Sequence, residues 1–135
     1  MRIAQIASLT ERVPPRKYGG TERVIHVLTE ELVKKGHEVT LFASGDSLTK
    51  ARLISTYPKS LRDSGITNVY EKNTLNLMHI GFAYNMQDEF DIIHDHNGVL
   101  ALPTAASAKI PVVFTLHGAL NKRTIEAFSM LNKPS

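Results

Sequence analysis

The chain contains no cysteine, which excludes a disulfide scaffold, a zinc knuckle and thiol catalysis together. Long apolar runs are missing too. The best candidates, Pro111 to Leu116 and Asp91 to Ile93, are strand-sized, far short of the roughly 18–20 residues that a membrane span needs. At the N-terminus, Met1-Arg2-Ile3-Ala4-Gln5-Ile6-Ala7 is too short an apolar stretch for a signal peptide, and no small-residue cleavage site follows it. Aromatic residues make up only 7%, and the 16 Lys and Arg are scattered among 13 acids, leaving a net charge of +3. A nucleic-acid surface would gather its basic residues into a stripe with stacking aromatics. No nucleic-acid partner is therefore expected, and the expected location is cytoplasmic, with a peripheral place at a membrane left open.

What is present suits one domain. A chain of 135 residues, 42% hydrophobic and 21% charged, is the size and composition of a single globular unit that can bury its own core. Arg2 to Ser8 is a short apolar run with β-branched residues, read as a buried strand. A polar stretch with Pro14 and Pro15 follows, then Gly19-Gly20. From Thr21 the period changes. Val24, Ile25, Leu28 and Leu32 recur at three and four, which predicts an amphipathic helix capped by Thr21 and stopped by Lys34-Lys35-Gly36.

The remaining chain repeats this alternation. Glu38 to Ala43 is a second strand, and Ala51 to Tyr57 a third that Pro58 ends. Leu75, Met78, Phe82 and Met86 fit a helix between Val69 and Gln87. Phe90 to His94 is the next strand, Pro103 to Ala108 a small helix, and Pro111 to Leu116 a strand with the look of a central one. A helix over Thr124 to Leu131 follows, and Asn132-Lys133-Pro134-Ser135 reads as the lead-in to another strand. Strands alternating with helices give an α/β fold with a Rossmann-like, doubly wound parallel sheet.

Ligands of such sheets lie beyond the C-terminal strand ends. That rule selects the loops Ser8 to Gly20, Ser44 to Ser47, His94 to Gly98 and His117 to Asn121. Gly19 and Gly20 precede a helix whose free N–H groups can meet an anion, so phosphate binding and a plain glycine turn are both open readings. They do not form Gly-x-Gly-x-x-Gly, and their loop is longer than that motif's tight turn. Asp46 stands where a dinucleotide fold keeps its ribose-binding acid, although aspartate is also common in ordinary turns. His94, His96 and His117 could supply three metal ligands. Their spacing is not specific, and strand-end histidines more often hydrogen-bond to ligands or backbone, so no metal is expected. His117, followed by Gly118, stands where a backbone can approach a ligand. Arg16 and Lys17 lie in the long first loop, as solvated charge or as a holder of an anionic acceptor.

These segments also carry a family resemblance. Ile3-Ala4-Gln5-Ile6-Ala7, Tyr18-Gly19-Gly20-Thr21-Glu22-Arg23-Val24, and Gly36-His37-Glu38-Val39-Thr40-Leu41-Phe42-Ala43 resemble the start of the retaining glycosyltransferases of family 4. Phe90-Asp91-Ile92-Ile93-His94-Asp95-His96 and Pro111-Val112-Val113-Phe114-Thr115-Leu116-His117-Gly118 resemble later signatures of that family, in the same order. The resemblance implies the N-terminal, acceptor-side lobe of a GT-B fold, incomplete at Ser135, with the donor-binding lobe in the same gene or in a partner chain. It implies a nucleotide-sugar donor, a sugar, lipid or small-molecule acceptor, and no metal or other cofactor. Gly19 and Gly20 would approach the donor diphosphate, His117 would contact the transferred sugar as the catalytic histidine, and Arg16, His96 and Asn97 would face the acceptor. The family's basic pair and Glu-x7-Glu motif belong to the other lobe, so this chain alone is expected to be inactive. Two further readings are a non-catalytic lobe that binds a ligand or partner, and a dinucleotide-dependent oxidoreductase.

Overall fold

A computed structural model describes residues 1–131; the expected lead-in at Asn132 to Ser135 lies outside the described residues. Five strands form one parallel sheet: β1 (Arg2–Ile6), β2 (Glu38–Phe42), β3 (Arg52–Ile54), β4 (Ile92–Asp95) and β5 (Val112–Phe114). Four α-helices connect or follow them: α1 (Gly20–Lys34), α2 (Val69–Asn85), α3 (Leu102–Ala105) and α4 (Lys122–Leu131). The strand order is β3-β2-β1-β4-β5. The chain therefore winds outward from β1 in one direction and then from β4 in the other, the doubly wound arrangement expected. Its order reverses between β1 and β4, which opens a crevice beyond their C-terminal ends.

The strands are shorter than their apolar runs because pairing stops where the loops turn away. β1 ends at Ile6 rather than Ser8, and β3 keeps only Arg52–Ile54 of the run from Ala51 to Tyr57. The strand expected to be central, β5, is an edge strand among the described residues, with Val113 47% exposed. Its continuous apolar run reflects packing against β4 and α4, where Phe114 and Phe128 meet edge to face with centroids 6.0 Å apart.

Strand alternation splits the core in two. Ala4, Ile6, Phe42 and Ile93 point to one face, where they pack with Ile80, Ala83 and Tyr84 of α2 and with Phe90 and Ala101. Ala7, Leu41 and Ala43 join Ile25 of α1 and Val13 on the other. Helix α1 begins at Gly20 with Gly19 as its N-cap and no side-chain cap, so Thr21 is not the capping residue. Gly19 sits at φ 154, and a Cβ there would lie 2.8 Å from both Glu22 Oε2 and Pro15 Cβ, so a capping side chain has no room. The inward line of α1 is Glu22, Ile25 and Thr29, while Val24 is exposed.

Helix α2 departs further from the expected stripe. Its buried residues are Asn76, His79, Ile80, Ala83 and Tyr84, and Met78 and Phe82 face outward. The polar members face inward because each has an anchoring task. Asn76 Oδ1 accepts the Leu9 N–H at 2.8 Å, fixing the long first loop, and His79 Nδ1 lies 2.9 Å from the Thr56 hydroxyl.

Candidate functional site

The loops after β1, β4 and β5 share the C-terminal rim of the sheet, and the register decides which of their side chains meet. Gln5 of β1 lies beside His94 of β4, and His94 beside Val113 of β5. With a period of two, Gln5, His94, His96, Thr115 and His117 therefore project from the same face, the one that carries α1. Asp95 projects from the opposite face.

On the α1 face these residues form a chain of hydrogen bonds across three strands. The Gln5 Nε2–H donates to His94 Nδ1 at 3.3 Å, and His94 Nε2 lies 2.7 Å from the Thr115 hydroxyl. On the other side of the amide, His96 Nε2–H donates to Gln5 Oε1 at 2.7 Å. His96 Nδ1 and His117 Nε2 are 2.9 Å apart. The rings stack as well: His94 and His96 have centroids 4.1 Å apart, and His96 and His117 5.2 Å at an interplanar angle of 27°.

All three imidazoles are held toward their neutral forms. Burial, followed by the charges that His94 and His117 would carry, takes His96 down to about 3. His94 is lowered by burial and then by His117, and His117 by burial alone. A neutral imidazole has one donor and one acceptor nitrogen, which makes the pattern directional. Five of the six ring nitrogens face another ring, Gln5 or Thr115; the sixth is His117 Nδ1. Among the described residues no group of three or more ligating side chains is arranged to hold a metal ion.

Asp95 anchors the opposite side of the same loop. It is fully buried and accepts from Tyr84 Oη at 2.9 Å, from the Asn97 backbone N–H at 2.8 Å and from Asn97 Nδ2 at 2.9 Å. Burial pushes its carboxyl up, against the pull of these bonds, and the Tyr84 hydroxyl is pushed up by burial and then by the Asp95 charge. Asn97 also donates to the Ile6 carbonyl at 3.2 Å, tying the ends of β1 and β4 together.

His96, Asn97 and His117 line one open cavity of about 250 Å³, together with Thr21 of the first turn of α1 and Gly98, Leu116 and Phe128. Sequence reasoning missed Gln5, the fully buried residue that joins the histidines; its signal was a lone amide inside an apolar strand. Arg16 is not brought to this cavity. It lines a second one of about 450 Å³ with Glu11, Arg12, Lys17 and Arg62. Gly20 is open, with nothing within 4 Å of where a Cβ would stand. Asp46 is not a free ribose-binding acid: it accepts from the Ser44 hydroxyl at 2.6 Å and the Ser60 N–H at 3.1 Å, joining two loops.

Comparison with known proteins adds a likeness of sequence and a likeness of fold. Residues 18–134 match the family model described as Glycosyltransferase Family 4. The fold is similar to the crystal structure of AviGT4, a glycosyltransferase involved in avilamycin A biosynthesis, with a TM-score of 0.60 and 22% identity. That likeness covers 87% of this chain and 32% of AviGT4, so the chain spans about a third of the structure it matches. Among curated proteins, none matches this sequence.

Proposed function

The chain belongs to glycosyltransferase family 4, and from that premise we propose that it is the acceptor-side half of an enzyme moving a sugar from a nucleotide-sugar to an acceptor with retention of configuration. The observation that carries this reading is the grouping of His117, His96, Asn97 and the first turn of α1 around one cavity at the reversal point of the sheet. In this reading the bond between the anomeric carbon and the diphosphate breaks, the nucleoside diphosphate leaves with the electron pair, and a bond to an acceptor hydroxyl forms on the same face. The acceptor proton departs with the leaving phosphate.

Each group has a task suited to its chemistry. Gly20 opens α1 with nothing where a side chain would stand, while Gly19, packed against Glu22 and Pro15, sets the turn before it, so the N-terminal amides of α1 can face the charge that grows on the departing diphosphate. His117, neutral and at the cavity wall, contacts a hydroxyl of the transferred sugar. His96 and Asn97 border the acceptor. Arg16 would serve the acceptor only at a distance from His96 and Asn97, since it lines a separate cavity. The nucleotide is gripped by a second lobe in a longer protein or in a partner chain, and no metal takes part. Among the described residues no helix is long and apolar enough to cross a membrane.

Incubating the full-length protein with a panel of nucleotide-sugars and glycosyl acceptors tests this reading, with released nucleoside diphosphate measured by chromatography and product anomers by NMR. Release that depends on the acceptor, with the donor's anomeric configuration kept, is expected. Inverted product would sink retention, and absence of release across the panel would sink the transferase reading.

A further inference from the structure

Gln5 is a polar residue placed, fully buried, in the central strand of the sheet. A buried amide costs stability unless its donor and acceptor are both used, and here each is spent on a histidine. The Gln5 Oε1 can only accept, so His96 Nε2 must carry the proton across the 2.7 Å contact. In a neutral ring, His96 Nδ1 is then an acceptor. The 2.9 Å contact to His117 therefore requires His117 Nε2 to donate. That leaves His117 Nδ1 as the ring's accepting nitrogen, on a side chain that lines the cavity.

We propose that Gln5 is a positioning residue that, through His96, fixes the tautomer and ring plane of His117 so that its Nδ1 accepts a hydroxyl of the transferred sugar. The proposal rests on the reading of His117 as a sugar contact. The other end of the amide supports the same orientation. Gln5 Nε2 donates to His94 Nδ1, which leaves His94 Nε2–H to donate to Thr115 Oγ1 at 2.7 Å. All four contacts thus run in one direction, from His117 through His96, Gln5 and His94 to Thr115, and a single amide orients the rings. The β1–β4 register, which sets Gln5 beside His94, makes the arrangement possible.

The test uses the full-length protein labelled with ¹⁵N-histidine, in which hydrogen-bonded ring N–H signals are followed by NMR and kcat and KM are measured. Gln5→Met keeps the length and apolar packing and removes both polar atoms. It should abolish the slowly exchanging Nε2–H signals of His96 and His117 and lower kcat on the order of tenfold to a hundredfold, as small misplacements of reacting groups do, with KM little changed. Gln5→Glu keeps an acceptor toward His96. It should preserve the His117 Nε2–H signal, raise the pH at which His96 titrates and restore part of kcat.

Signals for His96 and His117 that are unmoved in both variants would overturn the positioning role. If Gln5→Met does not fold, Gln5→Glu decides alone: an unshifted His96 titration overturns the proposal. A lost His117 signal with native kcat would instead overturn the sugar-contact reading on which the proposal rests.

Discussion

Asp95 and His96 are neighbours in the chain and face opposite sides of the sheet, and they are used in opposite ways. Asp95 is sealed under α2, where Tyr84 and Asn97 donate three hydrogen bonds to it. His96 stands on the α1 side in a row of rings that ends at an open cavity. One face therefore ties the loop down, while the other turns its side chains toward an open cavity. A parallel strand with period two permits this division within two residues.

The comparison can be broken most severely on the sealed side. Asp95→Ala would take the acceptor from the buried Tyr84 hydroxyl and from the Asn97 backbone N–H, and would leave Asn97 Nδ2 only the Ile6 carbonyl. Each such group costs roughly 1–3 kcal/mol, so a stability loss of about 3 kcal/mol or more is expected in urea denaturation. A loss under about 1 kcal/mol, the net worth of a single ordinary hydrogen bond, would mean that Asp95 does not organise the loop.

Acid should also act through buried groups on both faces. His79 is held down to about 4 and His96 to about 3, in each case first by burial. Their unfolded forms take up protons near the ordinary value of 6.5, whereas the folded forms resist, so the unfolded chain binds more protons on acidification. Stability should therefore be complete above about pH 6.5 and fall as the pH drops toward 4 and 3, with His79 contributing about 3 kcal/mol by pH 4. Asp95, raised by burial, acts in the opposite sense over its own range. Comparing the wild-type protein with His79→Leu isolates the His79 part. An identical pH slope in the two proteins would contradict its burial as a neutral ring.

The glycines ahead of α1 sharpen the contrast at smaller scale. Gly19→Ala places a Cβ against Glu22 and Pro15 at 2.8 Å on a backbone with φ 154, so a loss of about 1–2 kcal/mol is expected. Gly20→Ala meets nothing within 4 Å and should leave the melting temperature unchanged or slightly higher, while weakening binding of a nucleoside diphosphate in calorimetry. Equal effects of the two changes on stability would remove the distinction between a glycine needed for the turn and one that leaves space for a ligand.

Much of this layout was legible in the sequence. The alternation of strands and helices, the C-terminal rim and the placing of His94, His96 and His117 there followed from apolar periods and the rule for open parallel sheets, whereas Asn97 was singled out by the family resemblance. What was not legible depends on tertiary contacts. The apolar residues of α2 suggested an inward Met78 and Phe82, but Asn76 and His79 take the inner face because loop anchoring requires buried polar groups there. β5 looked central because it is apolar throughout, yet among the described residues it lies at the sheet edge. Gln5 stood unremarked because only the register with β4 brings its amide between two histidines. Arg16 was grouped with the site by loop membership, and the path of that loop carries it to a separate cavity.

The most direct test of the division between a holding face and an acting face pairs His117→Ala with Tyr84→Phe in the full-length protein, measuring urea stability and turnover of each. His117→Ala should lower kcat on the order of a hundredfold, as loss of a contact that positions the reacting sugar does, with its urea midpoint nearly unchanged. Tyr84→Phe should cost about 1.5 kcal/mol of stability, the loss of one hydrogen bond to a charged acceptor, with turnover little changed. The opposite pattern, a destabilised His117→Ala that turns over normally, would contradict the account.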